Sequence, residues 1–152
     1  MATLSSVGLL ALCVALLGCE MLQPNAPTKH TQTSYIPVEY RKFVSGVFVD
    51  DLKNKYVRVE CAFSSTMSGT LPGGYSPSRY MAFDAMAFGA GLEAPETLTV
   101  VVPKDLADIV FTLTHADRLR IGGRAVVVTV STVGGRIFRQ LILEATSIEK
   151  IQ

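Results

Sequence analysis

From residue 56 onward, apolar and polar side chains alternate in short runs separated by turn residues. "YVRVECAFS" (56–64) sends Val57, Val59, Cys61 and Phe63 one way and Tyr56, Arg58, Glu60 and Ala62 the other. A period of two belongs to a half-buried strand, because successive side chains point to opposite faces. "SSTMSGTLPGGYSPSR" (64–79) is rich in Gly, Pro and Ser and predicts a long loop. "YMAFDAMAF" (80–88) predicts a second strand, with Met81, Phe83 and Ala85 inward and Asp84 outward. "GAGLEAPE" (89–96) predicts a turn, and "TLTVVV" (97–102) a third strand. In "PKDLADIVFTL" (103–113) the period changes. Leu106, Ile109, Val110 and Leu113 fall at i, i+3, i+4 and i+7, with Pro103 suited to the first helical position and Asp105 to the first turn. That is a short amphipathic helix. "THADRLRIGGRAVVVTVST" (114–132) opens on a turn and becomes a fourth strand, its Gly122–Gly123 pair marking a bulge or sharp bend. "VGG" (133–135) is a hairpin turn, and "RIFRQLILEATSIEKI" (136–151) a fifth strand with Ile137, Leu141 and Leu143 on one face.

Upstream the patterns differ. "VEYRKFVSGVFVDDLKNK" (38–55) fits a short helix through Phe43, Val47 and Phe48, or a short strand through its valines; it reads as a lead-in packed on the domain. "EMLQPNAPTKHTQTSYIP" (20–37) has no apolar period and predicts a flexible or extended tether, reaching roughly 60 Å at full stretch. His30 within it reads as solvated. Residues 1–18 carry no charged side chain, and their apolar core runs from Val7 to Leu17. At about 1.5 Å per residue this covers about half a bilayer's hydrocarbon, too short for a comfortable span and suited to a secretory signal peptide. A buried core helix would show a polar face, and this segment has none.

Five strands with one helix between the third and fourth resemble the OB-fold, a Greek-key barrel, over residues 55–151. The predicted fold class is therefore mainly β, a small five-stranded OB-like barrel. The alternative is an immunoglobulin-like β-sandwich, which calls for seven strands and accommodates the helix poorly. The resemblance implies a ligand surface on the exposed face of strands two and three, flanked by loops 64–79 and 132–136. Tyr75, Arg79, Tyr80 and Arg136 are its candidate contacts, since aromatic and arginine side chains stack on sugars, bases or peptide groups. The competing reading has Tyr75 and Tyr80 packing the loop on the barrel.

"LLGC" (16–19) is similar to the lipobox of bacterial lipoproteins, with Leu17 bulkier than the usual small residue and no Lys or Arg before the apolar run. The resemblance implies cleavage between Gly18 and Cys19, a diacylglycerol thioether on Cys19, and acylation of the new N-terminus. Glu20, by the enteric sorting rule, implies the outer membrane. Several acyl chains make a stable anchor, at about 0.8 kcal/mol per buried methylene. The expected organisation is a signal peptide (1–18), a lipidated N-terminus and tether (19–37), and a barrel domain (38–152).

Charge and chemistry narrow the function. The 152 residues carry 14 Lys+Arg against 13 Asp+Glu, a balance that speaks against a nucleic-acid partner. No CxxC or Cys/His metal spacing occurs, so no metal or cofactor is expected; Asp50–Asp51 lacks the further oxygen ligands of a calcium loop. No catalytic motif appears. His115 near Asp117 reads as a turn or dipole partner, and Cys61 as a small core hydrophobe. The expectation is a non-enzymatic, lipid-anchored binding or scaffolding module facing the periplasm or cell surface, with an envelope protein as partner. A small-ligand or saccharide-binding module is the alternative. The sequence leaves the oligomeric state open.

Overall fold

A computed structural model describes residues 34–89, 96–131 and 134–152. The expected signal peptide, Gly18 and Cys19 lie outside the described residues, as does most of the expected tether. Strands β2 (Tyr56–Thr66), β3 (Tyr80–Met86), β4 (Leu98–Pro103), β5 (Arg118–Ser131) and β6 (Ile137–Lys150) correspond to the five predicted from sequence. Neighbours run β2-β3-β4-β6-β5, and β5 pairs back on β2 from Tyr56↔Arg124 to Ala62↔Arg118. The sheet is thereby closed. β4 and β6 are parallel, through Val100↔Leu143 and Val101↔Glu144; the other barrel pairs are antiparallel. This is the five-stranded OB-type barrel, and closure excludes the two open sheets of a sandwich.

Alternation decides what fills it. Val57, Val59, Cys61 and Phe63 of β2 meet Phe83, Ala85, Leu98, Val100, Leu119, Ile121, Leu141 and Leu143 in one interior core, most of them wholly buried. The helix between the third and fourth barrel strands is shorter than its pattern suggests. A 3-10 turn (Lys104–Leu106) leads into α3 (Ala107–Phe111), and only Ala107 and Val110 of α3 are buried. Pro103 is the last residue of β4 and stands just before the 3-10 turn instead of at the first helical position.

The lead-in forms two short helices, α1 (Tyr40–Val44) and α2 (Val49–Leu52), with Phe43, Val49 and Leu52 in the core. Before them a two-residue strand, β1 (Ile36–Pro37), pairs in parallel with Val57 and Arg58. The domain thus takes in residues assigned from sequence to the end of the tether. Tyr40 fastens this segment: its hydroxyl lies 2.9 Å from both Ala85 O and Glu96 O, to which it donates, and accepts Leu98 N–H at 3.1 Å.

The predicted bulge is present. β5 and β6 shift register between Gly122 and Gly123, which face Ser147 and Ala145, so Thr146 is the extra residue. Its hydroxyl donates to Gly122 O at 3.2 Å and sits 2.8 Å from that of Tyr35. Beyond the Ala125↔Leu143 rung, β5 and β6 continue as a two-stranded arm. Ile137 shares its face with Leu141 and Leu143 as predicted but is 71% exposed, because it lies past the barrel's end.

Candidate functional site

The outward positions of β3, β4, β5 and β6 are unusually apolar for a barrel surface. Ala82, Val101, Val128 and Ile142 form a second buried cluster, separate from the interior core, and Leu71 of the long loop sits among them. Met67, Tyr75 and Tyr80 border it. The loop 67–79 thus lies across the face that the OB resemblance nominates for ligand.

Local sequence explains how the loop fits. Pro72 starts a 3-10 turn, Pro72–Gly74, in which Gly73 takes φ +65. A β-carbon at Gly73 would stand 2.7 Å from Val128 Cγ1, so glycine allows both the left-handed backbone and the close approach to β5. Met67 N–H donates to Ala82 O at 2.9 Å, extending the β2–β3 ladder, and Lys104 N–H donates to Arg79 O at 3.0 Å. Among the described residues, the one backbone hydrogen bond between residues 68–78 and a barrel strand is at the loop's own exit, where Tyr80 N–H of β3 donates to Ser76 O at 3.0 Å. Side chains hold that stretch in place.

Tyr75 and Tyr80 meet edge to face, ring centroids 4.9 Å apart at 77°. Beside them, Arg124 directs Nη2 (2.6 Å) and Nε (3.0 Å) at Glu144 Oε2 across the Arg124↔Glu144 rung. Burial, with the Glu144 carboxylate nearby, pushes the Tyr75 phenol up to about 12. At neutral pH that phenol therefore keeps its proton and is not a base. Hydrogen bonding to Glu144 raises the Arg124 guanidinium.

Three of the four predicted contacts, Tyr75, Arg79 and Tyr80, come together on this loop and at its junction with β3. Arg79 is exposed, its backbone fixed by Ser76 O at 3.0 Å. Arg136 lies elsewhere, at the hairpin turn one residue beyond the Ser131↔Ile137 rung, about 13 Å along the arm from Gln140. Leu71 and the Arg124–Glu144 pair are functional-face residues that sequence reasoning missed.

Two further features stand outside this face. An open groove of about 410 Å³ is lined by Pro37, Val38, Glu39, Tyr40, Arg58, Glu60 and Phe88, with Arg118 stacked on the Phe88 ring at 4.6 Å. Asp117 caps the turn before β5 by accepting Thr114 N–H (2.8 Å) and pairs with Lys150 (2.8 Å), which hold its carboxyl below its ordinary range. His115 Nδ1 reaches Ser64 O at 3.1 Å, beside that turn. Among the described residues, no group of three or more His, Cys, Asp or Glu could hold a metal ion, and no helix is long and apolar enough to cross a membrane.

The buried acids set an alkaline limit. Burial pushes Cys61 from 9.0 and Tyr40 from 10.0 up to about 12, as it does Tyr75. The unfolded chain releases these protons first, so stability is full below about pH 9 and falls as pH climbs towards 12. In urea titrations, Cys61→Val is expected to delay the onset from about pH 9 to about pH 10; an unchanged onset would contradict it.

No protein-family model and no curated protein matches the chain. Among solved structures, it is similar to the small single-stranded DNA-binding protein from Streptomyces coelicolor, at 15% identity and TM-score 0.43 over 65% of this chain and 95% of that one. It is also similar to the mitochondrial single-stranded DNA-binding protein Rim1 from S. cerevisiae, at 11% identity and TM-score 0.41 over 64% and 97%. One expectation is corrected on this finding. The charge balance was read as speaking against a nucleic-acid partner, yet both of these similar structures bear the names of single-stranded DNA-binding proteins. The physical fault lies in the premise: net charge sums over the whole chain, whereas phosphates meet one local surface.

Proposed function

We propose that this chain is a lipid-anchored, non-catalytic binding module of the bacterial envelope, acylated at Cys19, whose barrel engages an envelope protein at the face covered by the loop 67–79. The observation that supports it is the edge-to-face contact of Tyr75 with Tyr80 beside the Arg124–Glu144 pair, with the exposed Arg79 next to Tyr80 in the chain. Aromatic rings and guanidinium groups are the side chains that carry most of the energy in protein interfaces. Residues 20–33 separate the acylated cysteine from the first described residue, and the outer membrane is the compartment that Glu20 favours.

The chain has no tryptophan, so its tyrosines dominate its intrinsic fluorescence. Arg79→Ala is expected to weaken binding of the partner at least about tenfold with unchanged thermal stability, because an exposed arginine contributes to contact and little to folding. Tyr75→Ala should weaken binding and also loosen the loop. A partner bound equally well by the Arg79→Ala chain would refute the site. Titration with single-stranded oligonucleotides runs alongside, and tyrosine quenching by those alone would replace the protein partner with nucleic acid. For the anchor, Cys19→Ser should abolish palmitate labelling; persistent labelling would refute the acylation site.

A second reading, a small-ligand or saccharide module, draws on the groove beside Phe88, whose volume lies within the range of small-molecule sites. Thermal-shift screening with glycans separates the two, since a saccharide held there should lose its shift in Phe88→Ala and keep it in Arg79→Ala.

A further inference from the structure

Closing the ring leaves one stretch of strand without a neighbour. β5 shares its last rung with β2 at Tyr56↔Arg124. Immediately past it, Ala125 donates its N–H to Lys55 O at 2.9 Å and accepts Asn54 N–H at 2.7 Å. Both backbone groups of Ala125 therefore point away from β6. β5 keeps unbroken register with β6 from Gly123 to Ser131, so the alternation continues and Val127, Thr129 and Ser131 present their backbone groups on the same outer edge. Among the described residues, no backbone hydrogen bond reaches these groups. Thr129 and Ser131 are exposed and Val127 half-buried, which leaves the edge reachable.

Open edges of this kind accept a further strand, and proteins ordinarily blunt them with Lys, Pro, a bulge or an inward charge. Residues 125–131, "AVVVTVS", contain none of these and are dominated by β-branched side chains.

We propose that this edge pairs antiparallel with the same edge of a second copy of the chain, the two-fold axis passing through Thr129. Val127 then faces Ser131 of the second copy, Thr129 faces Thr129, and the three outward residues of each copy exchange about six backbone hydrogen bonds. Moving the axis one residue towards the barrel would drive Ser131 of the second copy onto Lys55, already bonded to Ala125. The segment carries no charge, so pairing with itself brings no like charges together. An isologous contact also closes on itself instead of propagating. The arm gains from it. Alone it is two-stranded beyond the barrel and exposes Phe138, the cross-strand partner of Val130, to 45%. Paired, the two arms become one four-stranded antiparallel sheet, past the size at which isolated hairpins are marginal. The proposal is independent of the loop site, which lies on the sheet's face.

Sedimentation equilibrium of the full chain in density-matched detergent tests it, joined to amide exchange at high and low concentration. A concentration-dependent dimer is expected, with Val127, Thr129 and Ser131 amides protected only in the dimer. Thr129→Pro removes an outward N–H that the protomer leaves unpaired, a place where strand proline is tolerated. It should raise the dimer dissociation constant at least about tenfold, since two symmetry-related bonds are lost. Thr129→Lys, which sets like charges opposite each other at the axis, should do the same if the proline variant folds poorly. A chain monomeric at all concentrations would overturn the proposal. So would a dimer whose Val127 and Thr129 amides exchange as in the monomer, or one that survives both substitutions.

Discussion

Gly123→Ala is expected to destabilise the barrel by about 3 kcal/mol in urea denaturation. A β-carbon there would lie 2.3 Å from Glu144 O, 2.9 Å from Glu144 C and 3.0 Å from Ala145 Cα, all backbone atoms of β6. None can rotate aside, so relief requires the two strands to separate where β5 is already shared between β2 and β6. Gly122→Ala is the control. Its β-carbon would meet Ser147 Oγ at 2.5 Å and the Tyr35 ring at 2.8 Å, side-chain atoms that can swing away. It should cost about 1 kcal/mol, at the low end of overpacking. Equal losses from the two would show that backbone crowding at the bulge is not what requires glycine.

Tyr40→Ala is expected to cost about 3–5 kcal/mol, the range for truncating a large buried side chain. Tyr40 is 9% exposed, and its ring and hydroxyl join the lead-in helices to the end of β3 and the start of β4. Tyr40→Phe separates the two contributions. It keeps the ring but deprives the buried Leu98 N–H of its acceptor, for about 1–3 kcal/mol. Amide exchange at Leu98 should rise in the Phe variant while the interior of β5 stays protected. A Phe variant as stable as the parent would show that water replaces the hydroxyl.

The barrel was legible because its inner face obeys a strict period. Val57, Val59 and Cys61 alternate with Arg58 and Glu60, and Gly122–Gly123 announced the bulge. The loop's seat was not legible, and the reason is visible in the same strings. "TVVV" and "QLILE" are apolar at outward positions too, because Val101 and Ile142 are covered by Leu71. Runs apolar on both faces signal a second layer, but nothing in them names the segment that supplies it. The Arg124–Glu144 pair could have been found by counting rungs outward from the Gly134–Gly135 turn, since the hairpin holds its register from Ser131↔Ile137 to Gly123↔Ala145. α1 and α2, at 5 and 4 residues, are too short to display a helical period.

Ring closure also fixes an order of events in time. β2 is the first strand of the barrel in the chain, yet one of its long pairings is with β5, which is made only after the whole β3–β4 region. That pairing must overcome the entropy of closing about half the domain into a loop, a cost that slows folding in proteins dominated by distant contacts. The β5–β6 hairpin, by contrast, is joined by a short turn and can zip locally. A nascent chain can pair β2 with β3 early, yet it carries the β5-facing stretch of β2, Tyr56–Ala62, open until β5 arrives, and that interval is set by synthesis and closure together.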